Sequence, residues 1–330
     1  MHNIKIENSD QITIPLGHVP DLYPDKDATA IRKLNVYIFC RDIDNIMPYE
    51  TYPNSKYHFV LNPSDDKGIA FVSHLFRPMD NHLRIFPHLH DLESNIADFI
   101  RETGKNLAYF GKLHWEIVDC TLRDARVEET LQIKWAVRIP GRVNRAGKFY
   151  RQPIPRSVQA SVGKTYVNIP SAKIWSIEIP PRFGGPERQK QIIETLAALS
   201  DSMPKVMSDA WNRGNPNPQF DIKKYSHNQF VQIAKLMQTW SWLFNQWQEG
   251  ETTEYYWVYR QLQFYASLAA LREHILMSMN ELLRHLEIPY HIGLEGLPHE
   301  AQITARIDDL KQRRISFKDA LNFVYQTDLP

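Results

Sequence analysis

Cysteine is almost missing from this 330-residue chain, which has only Cys40 and Cys120. Two thiols cannot build the disulfide framework of a small secreted scaffold, and their spacing matches no zinc pattern. They read as core thiols in a reducing compartment. Long apolar runs are missing too. No stretch approaches the roughly 18–20 apolar residues of a membrane span. MHNIKIENSDQITIP, at the start, has no apolar run to serve as a signal peptide. A protein made and held in a cytoplasm, with no membrane partner, is therefore expected. Charge of one sign is also lacking: 39 Lys and Arg face 38 Asp and Glu, for a net charge of +1. That balance excludes a protein whose whole surface grips nucleic acid, while leaving room for a local basic patch. There is no internal repeat and no low-complexity tract.

What the chain does have is apolar mass. It is 43% hydrophobic and 12% aromatic, enough for a sizeable core, and its length predicts about two domains. The expected class is α+β. Residues 1–70 read as a Pro-rich N-terminal arm with short strands. IKI, ITI, LNVYIFC (34–40) and YHFVL (57–61) are the strand candidates, punctuated by six prolines. IAFVSHLF (69–76) suits a strand or a helix. Residues 71–185 read as a mixed α/β domain. In LESNIADFIRETGKNLAYFGKLHWEIVD (92–119), Leu92, Ile96, Phe99, Ile100, Leu107 and Phe110 share one side of a helix. Gly111 ends that helix, and His-Trp-Glu-Ile-Val continues as a strand. TLQIKWAVRIP, KTYVNIP and AKIWSIEIPP alternate as strands do. Asn144 and Gly147 mark a hairpin turn. From Pro186 to residue 330 the pattern is helical, with helices expected from Pro186, over Asn228–Glu249 and over Thr252–Leu286. Pro204 should end or kink the first. Pro289 and the Gly293–Gly296 segment end the third. Two short helices close the chain, the last capped by Ser316 with Asp319 in the capping-box position.

Few motifs carry chemistry. His74, His82, His88 and His90 lie near Asp91 and Glu93, the right donors for zinc or iron, but no closing ligand spacing accompanies them. A metal-dependent hydrolase using His82, His88, His90 and Glu93 is the enzymatic alternative, and metal content would reveal it. Glu116, Asp119 and His114 gather at one strand, where a carboxylate and an imidazole can do acid–base work, or simply shape the strand and its exit. SVGKTY (161–166) has the Gly-Lys-Thr of a phosphate loop, yet Val158 stands where its upstream glycine belongs. PPRFGG precedes a helix and reads as a turn or an anion site. No nucleophile motif is present. The expectation is a non-enzyme that needs no cofactor. TWSWLFNQW (239–247) and YYWVYRQLQFY (255–265) place aromatics nearly all round their helices. Such helices are either central core elements or subunit interfaces. Lys235, Arg260, Arg272 and Arg284 are too few, and too well matched by glutamates, for single-strand stacking there.

Three features resemble the portal proteins of tailed bacteriophages. FIRETGKNLAYFGKLHWEIV resembles the helix–turn–strand of the portal wing. A mixed α/β wing comes first and long helices follow. ARIDDLKQRRISFKDALNFVY resembles the family's ending of a short helix and an I-S-x-x-E-A-L helix. The resemblance implies a portal-like wing domain with long helices and a C-terminal helical, stem- or crown-like region. Residues 212–225 would be the clip loop. It also implies a head–tail connector, a cyclic homo-oligomer such as a dodecamer. The ring would sit at the capsid vertex of the virion, be assembled in the host cytoplasm, and pass double-stranded DNA during packaging and ejection. Its partners would be the large terminase, the major capsid or scaffold protein and the head–tail adaptor. Lys205, Arg213, Lys223 and Lys224 flank the clip candidate and would meet phosphates or the motor. Trp240, Trp242, Trp247, Trp257 and Tyr259 would lie at subunit interfaces. A helical adaptor that forms no ring is the other alternative.

Overall fold

The computed structural model describes residues 4–14, 33–47, 57–77, 92–124, 130–139, 143–154, 159–160, 162–201, 222–242 and 253–325. In chain order they form β1 (Ile4–Ser9), α1 (Leu34–Asp42), β2 (His58–Asn62), α2 (Asp66–Leu75), α3 (Leu92–Phe110) and β3 (Lys112–Asp124). Then come β4 (Thr130–Arg138), β5 (Asn144–Ala146), β6 (Phe149–Pro153), β7 (Tyr166–Pro170) and β8 (Ile174–Glu178). The last part holds α4 (Gly185–Asp201), α5 (Ile222–Leu236), α6 (Glu254–His285), β9 (His291–Glu295), α7 (Glu300–Lys311) and α8 (Phe317–Tyr325). The class is α+β, with antiparallel sheets and helices, as expected. The chain divides into two units, each assembled from three separate stretches.

The first unit draws on residues 1–28, 56–178 and 274–297. Its axis is the α3–Gly111–β3 segment. Leu92, Ile96, Phe99, Ile100 and Leu107 are all buried, as their spacing demands. Gly111 takes φ 74°, and its N–H closes the helix on the Leu107 carbonyl at 2.8 Å. The 13-residue β3 then pairs with β4 along one edge. Its other edge is shared: β8 pairs with Lys112–Glu116 and β1 with Cys120–Asp124. In β8, Trp175 stands directly opposite Trp115, with ring centroids 4.7 Å apart, and Phe99 of α3 stacks on Trp175. Side chains alternate along a strand, so Trp115 faces α3 while His114 and Glu116 face away. That second face is also covered. The three-stranded sheet β5–β6–β7 puts Tyr150 against His114, centroids 5.1 Å apart. A separate ribbon, β2–β9, joins strands more than 220 residues apart in sequence.

The second unit draws on residues 29–55, 179–273 and 298–330. Phe39 of α1 meets Trp240 and Trp242 edge-on, each at 5.3 Å, and Phe183 stacks on Trp240 at 4.1 Å. Both indole N–H groups are satisfied internally. Trp240 donates to Gln189 and Trp242 to Asp42, each at 2.9 Å, and both acceptors are buried. Arg272 is buried as well. Its guanidinium donates to the carbonyls of Ile46 and Pro298, and burial lowers its pKa to about 10, with Glu273 opposing the shift. A second core joins α6, α7 and α8 through Val258, Leu262, Ile303, Ile307 and Ala320.

Five expectations needed correction, one of them the ITI stretch near the start, where residues 12–14 form no strand. LNVYIFC is not a strand: it is α1, and its apolar residues serve helical spacing, with Val36, Phe39, Cys40 and Ile43 buried while Leu34 and Tyr37 are exposed. The helix expected over Asn228–Glu249 starts at Ile222 and stops at Leu236, so Trp240 and Trp242 sit in the turns after it. The segment read only as a terminator contains β9, which completes the β2 ribbon. The hairpin loop is Gly147–Lys148, with Gly147 at φ 62° matching a tight two-residue turn, and Asn144 belongs to β5. IAFVSHLF resolves as helix within α2, capped by Asp65 accepting from the Gly68 N–H at 2.7 Å. The Ser316–Asp319 cap forms: Ser316 Oγ accepts from the Asp319 N–H and donates to its carboxylate. Both cysteines are buried, and no described helix is long and apolar enough to cross a membrane.

Candidate functional site

The best-built polar site is centred on Glu116, which is fully buried in mid-β3. Its partners come from residues 10–14, the strand-like ITI stretch that forms no sheet strand. Asp10 first exchanges hydrogen bonds with Asp119: its N–H donates to the Asp119 carbonyl, and its side chain accepts from the Asp119 N–H. The Glu116 carboxylate then accepts from the Ile12 N–H at 3.0 and 3.1 Å and from the Thr13 N–H at 2.6 Å. One residue on, Gln152 of β6, also fully buried, accepts from the Ile14 N–H and donates to the Ile14 carbonyl. The chain near the start is thus tied to the main sheet by a carboxylate and to the three-stranded sheet by an amide. A buried carboxylate is tolerable where backbone donors surround it. Glu116 is therefore a structural acceptor, and its oxygens are occupied.

His114, two residues earlier on the same face, contacts Ser176 Oγ through Nδ1 at 2.6 Å. Burial lowers its pKa from 6.5 to about 4, and Lys112 adds to the shift while Glu178 opposes it. The imidazole is neutral at pH 7. Between pH 6.5 and 4 the unfolded chain binds a proton here that the folded chain refuses. Stability is therefore complete above the unfolded pKa and falls as pH drops through this window, by up to about 3 kcal/mol. Urea midpoints at pH 7.5, 5.5 and 4 should show that loss, and His114→Gln should remove it. Parallel declines in the two proteins would disprove the assignment.

Asp119 is exposed and paired with Lys134 at 2.6 Å. Lys173 pairs with Asp10. Burial works to raise the Asp10 pKa, but Lys173 and the Asp119 N–H outweigh it and hold the carboxyl below its usual value. Asp119, Lys134 and Lys173 line a cleft of about 370 Å³ together with Ile117, Trp175, Leu282 and His285. Glu116, Asp119 and His114 therefore share a strand, and each is bonded to a different neighbour.

The other expected site residues fall as follows. Trp240 and Trp242 are buried inside the second unit. Trp257 and Tyr259 pack on the α6–α7–α8 core, with Lys311 over the Tyr259 ring at 5.8 Å. Lys224 is exposed on α5, and Lys223 lies in the same helix. Lys205, Arg213 and Trp247 lie outside the described residues, as do His82, His88, His90 and Pro204. His74 belongs to α2, and the Glu93 carboxylate accepts from the Phe59 N–H. No cluster with a metal-holding set of side chains occurs among the described residues. Gly184, at φ 91°, ends the 3-10 turn Pro181–Phe183, and Gly185, at φ 75°, is the first residue of α4. Sequence reasoning missed Gln152, whose role depends on a partner 138 residues away. No family model, curated protein or solved structure matches this chain.

Proposed function

We propose that this chain is a portal-type structural subunit that assembles into a closed ring and passes double-stranded DNA through its centre. The observation that carries the reading is the α3–Gly111–β3 segment: a 19-residue amphipathic helix, a left-handed glycine and a 13-residue strand whose first part, Leu113–Glu116, is buried on both faces. Two further features support it. A 32-residue helix, α6, follows the mixed α/β part, and the chain continues through the short helices α7 and α8, the second capped at Ser316. In this reading the protein catalyses nothing. It assembles head-to-tail with its own copies in a virion and meets the large terminase, the capsid or scaffold protein and a head–tail adaptor. Lys205, Arg213, Lys223 and Lys224 remain its proposed phosphate or motor contacts. Near-neutral net charge suits a tunnel that must not hold DNA fast.

Native mass tests this directly. Mass photometry and negative-stain microscopy of the purified chain should show a ring near a dodecamer with a central hole. A monomer or dimer at micromolar concentration would remove the ring and favour the adaptor alternative. Stoichiometric zinc or iron in the same preparation would favour the hydrolase.

A further inference from the structure

Residues 130–177 contain no aspartate or glutamate, while nine lysines and arginines fall there. At the chain's average density, about five or six carboxylates would be expected in those 48 positions. A chain with a net charge of +1 has thus set apart one purely basic stretch. At its centre is the three-stranded sheet β5–β6–β7.

One face of that sheet is buried and the other is not. Gln152, Ile154, Val167 and Ile169 turn inward and are all under 10% exposed. The alternate positions turn outward: Phe149, Arg151 and Pro153 on β6, and Tyr166 and Asn168 on β7, are all exposed. The register makes this one surface, because Arg151 stands opposite Asn168, and Pro153 opposite Tyr166. Its two large rings, Phe149 and Tyr166, are each 45% exposed. Arg151 lies between them along the face, with its guanidinium 4.8 Å from the Tyr166 ring centroid. Phe149 has neither an aromatic nor a cationic neighbour among the described residues. Lys148 in the β5–β6 turn and Lys164 just before β7 are exposed, and neither has an ion pair among the described residues.

An outward face that alternates rings with cations, in a stretch cleared of carboxylates, is complementary to a polyanion that also offers flat apolar surfaces. Unpaired nucleotides combine both features: bases stack on rings and on guanidinium planes, while phosphates meet lysines. A duplex keeps its base faces stacked inside and would leave Phe149 without a partner. We propose that the outer face of β5–β6–β7 binds single-stranded nucleic acid, with bases on Phe149 and on the Arg151–Tyr166 pair and phosphates on Lys148 and Lys164. This inference rests on the sheet alone and is independent of the ring.

The test is fluorescence anisotropy of the full-length protein with labelled (dT)20, (rU)20 and a 20-base-pair duplex. Binding of (dT)20 or (rU)20 tighter than the duplex is expected, and the ratio of the two names the preferred sugar. Phe149→Ala and Tyr166→Ala should each weaken the better single strand by about five-fold or more. Both side chains are half in solvent, so circular dichroism and thermal melting should stay as in the parent. The double substitution Lys148→Gln with Lys164→Gln gives a separate readout: the slope of log affinity against log salt should fall by about 1.4. Equal or tighter duplex binding, or single-strand affinity unmoved by both aromatic substitutions, overturns the proposal. So does the absence of single-strand binding at 10 µM protein in low salt.

Discussion

Trp242→Ala is expected to destabilise the second unit by about 3–5 kcal/mol, the largest loss of any substitution considered for this chain. The indole is 1% exposed, so its removal leaves a cavity against Phe39. It also strips Asp42 of the indole N–H that meets Oδ2. Asp42 is itself 3% exposed and, among the described residues, keeps only Arg41 on its other oxygen. Trp242→Phe separates the two terms, because it fills most of the space and removes only the donor. A loss of about 1.5–3 kcal/mol is expected for it, the usual worth of a hydrogen bond to a charged group. Urea titration of the three proteins measures both values. A phenylalanine variant within 0.5 kcal/mol of the parent would show that the Trp242–Asp42 bond contributes nothing.

Glu116→Ala comes close behind, at about 3–4 kcal/mol, for a different reason. Little apolar surface is lost. Instead, the Ile12 and Thr13 N–H groups lose their shared acceptor, and a buried donor without a partner costs about 1–3 kcal/mol. Glu116→Gln keeps the shape but swaps one acceptor oxygen for a donor that faces other donors, so it should recover less than half of the loss. Amide hydrogen exchange gives a local check. Ile12 and Thr13 should exchange far faster in both variants, while β3 amides bonded to β4 keep their protection. Unchanged exchange at residues 12 and 13 would mean that the carboxylate does not hold this segment.

How much of this could be read in advance depended on how local the cause was. The α3–Gly111–β3 segment was legible because periodicity and a helix-ending glycine both act within a few residues. So was the Ser316 cap, whose partner is three residues away. LNVYIFC misled because seven residues with six apolar members fit either period, and only the burial of Phe39 against Trp240 and Trp242, some 200 residues on, decides for helix. HIGLE looked like a helix terminator because its strand partner is HFVLN, far upstream. The site behaved alike. His114, Glu116 and Asp119 stood out as a group, but what each does is set by Ser176, by residues 12–13 and by Lys134. The outward rings of β6 and β7 were the least visible, since alternation shows that a strand has two faces without saying which one meets water.

The β2–β9 ribbon has a consequence for how the molecule is made. Its first strand leaves the ribosome roughly 230 residues before its second, with the whole of α6 in between. At a synthesis rate of about 5–20 residues per second, Phe59 and Leu61 wait on the order of ten to fifty seconds for their sheet neighbours. During that interval a strand with an unsatisfied edge is present on a nascent chain, open to any other edge nearby. The first unit therefore finishes folding late, after most of the second has been synthesised. No fragment that stops before residue 291 can complete it.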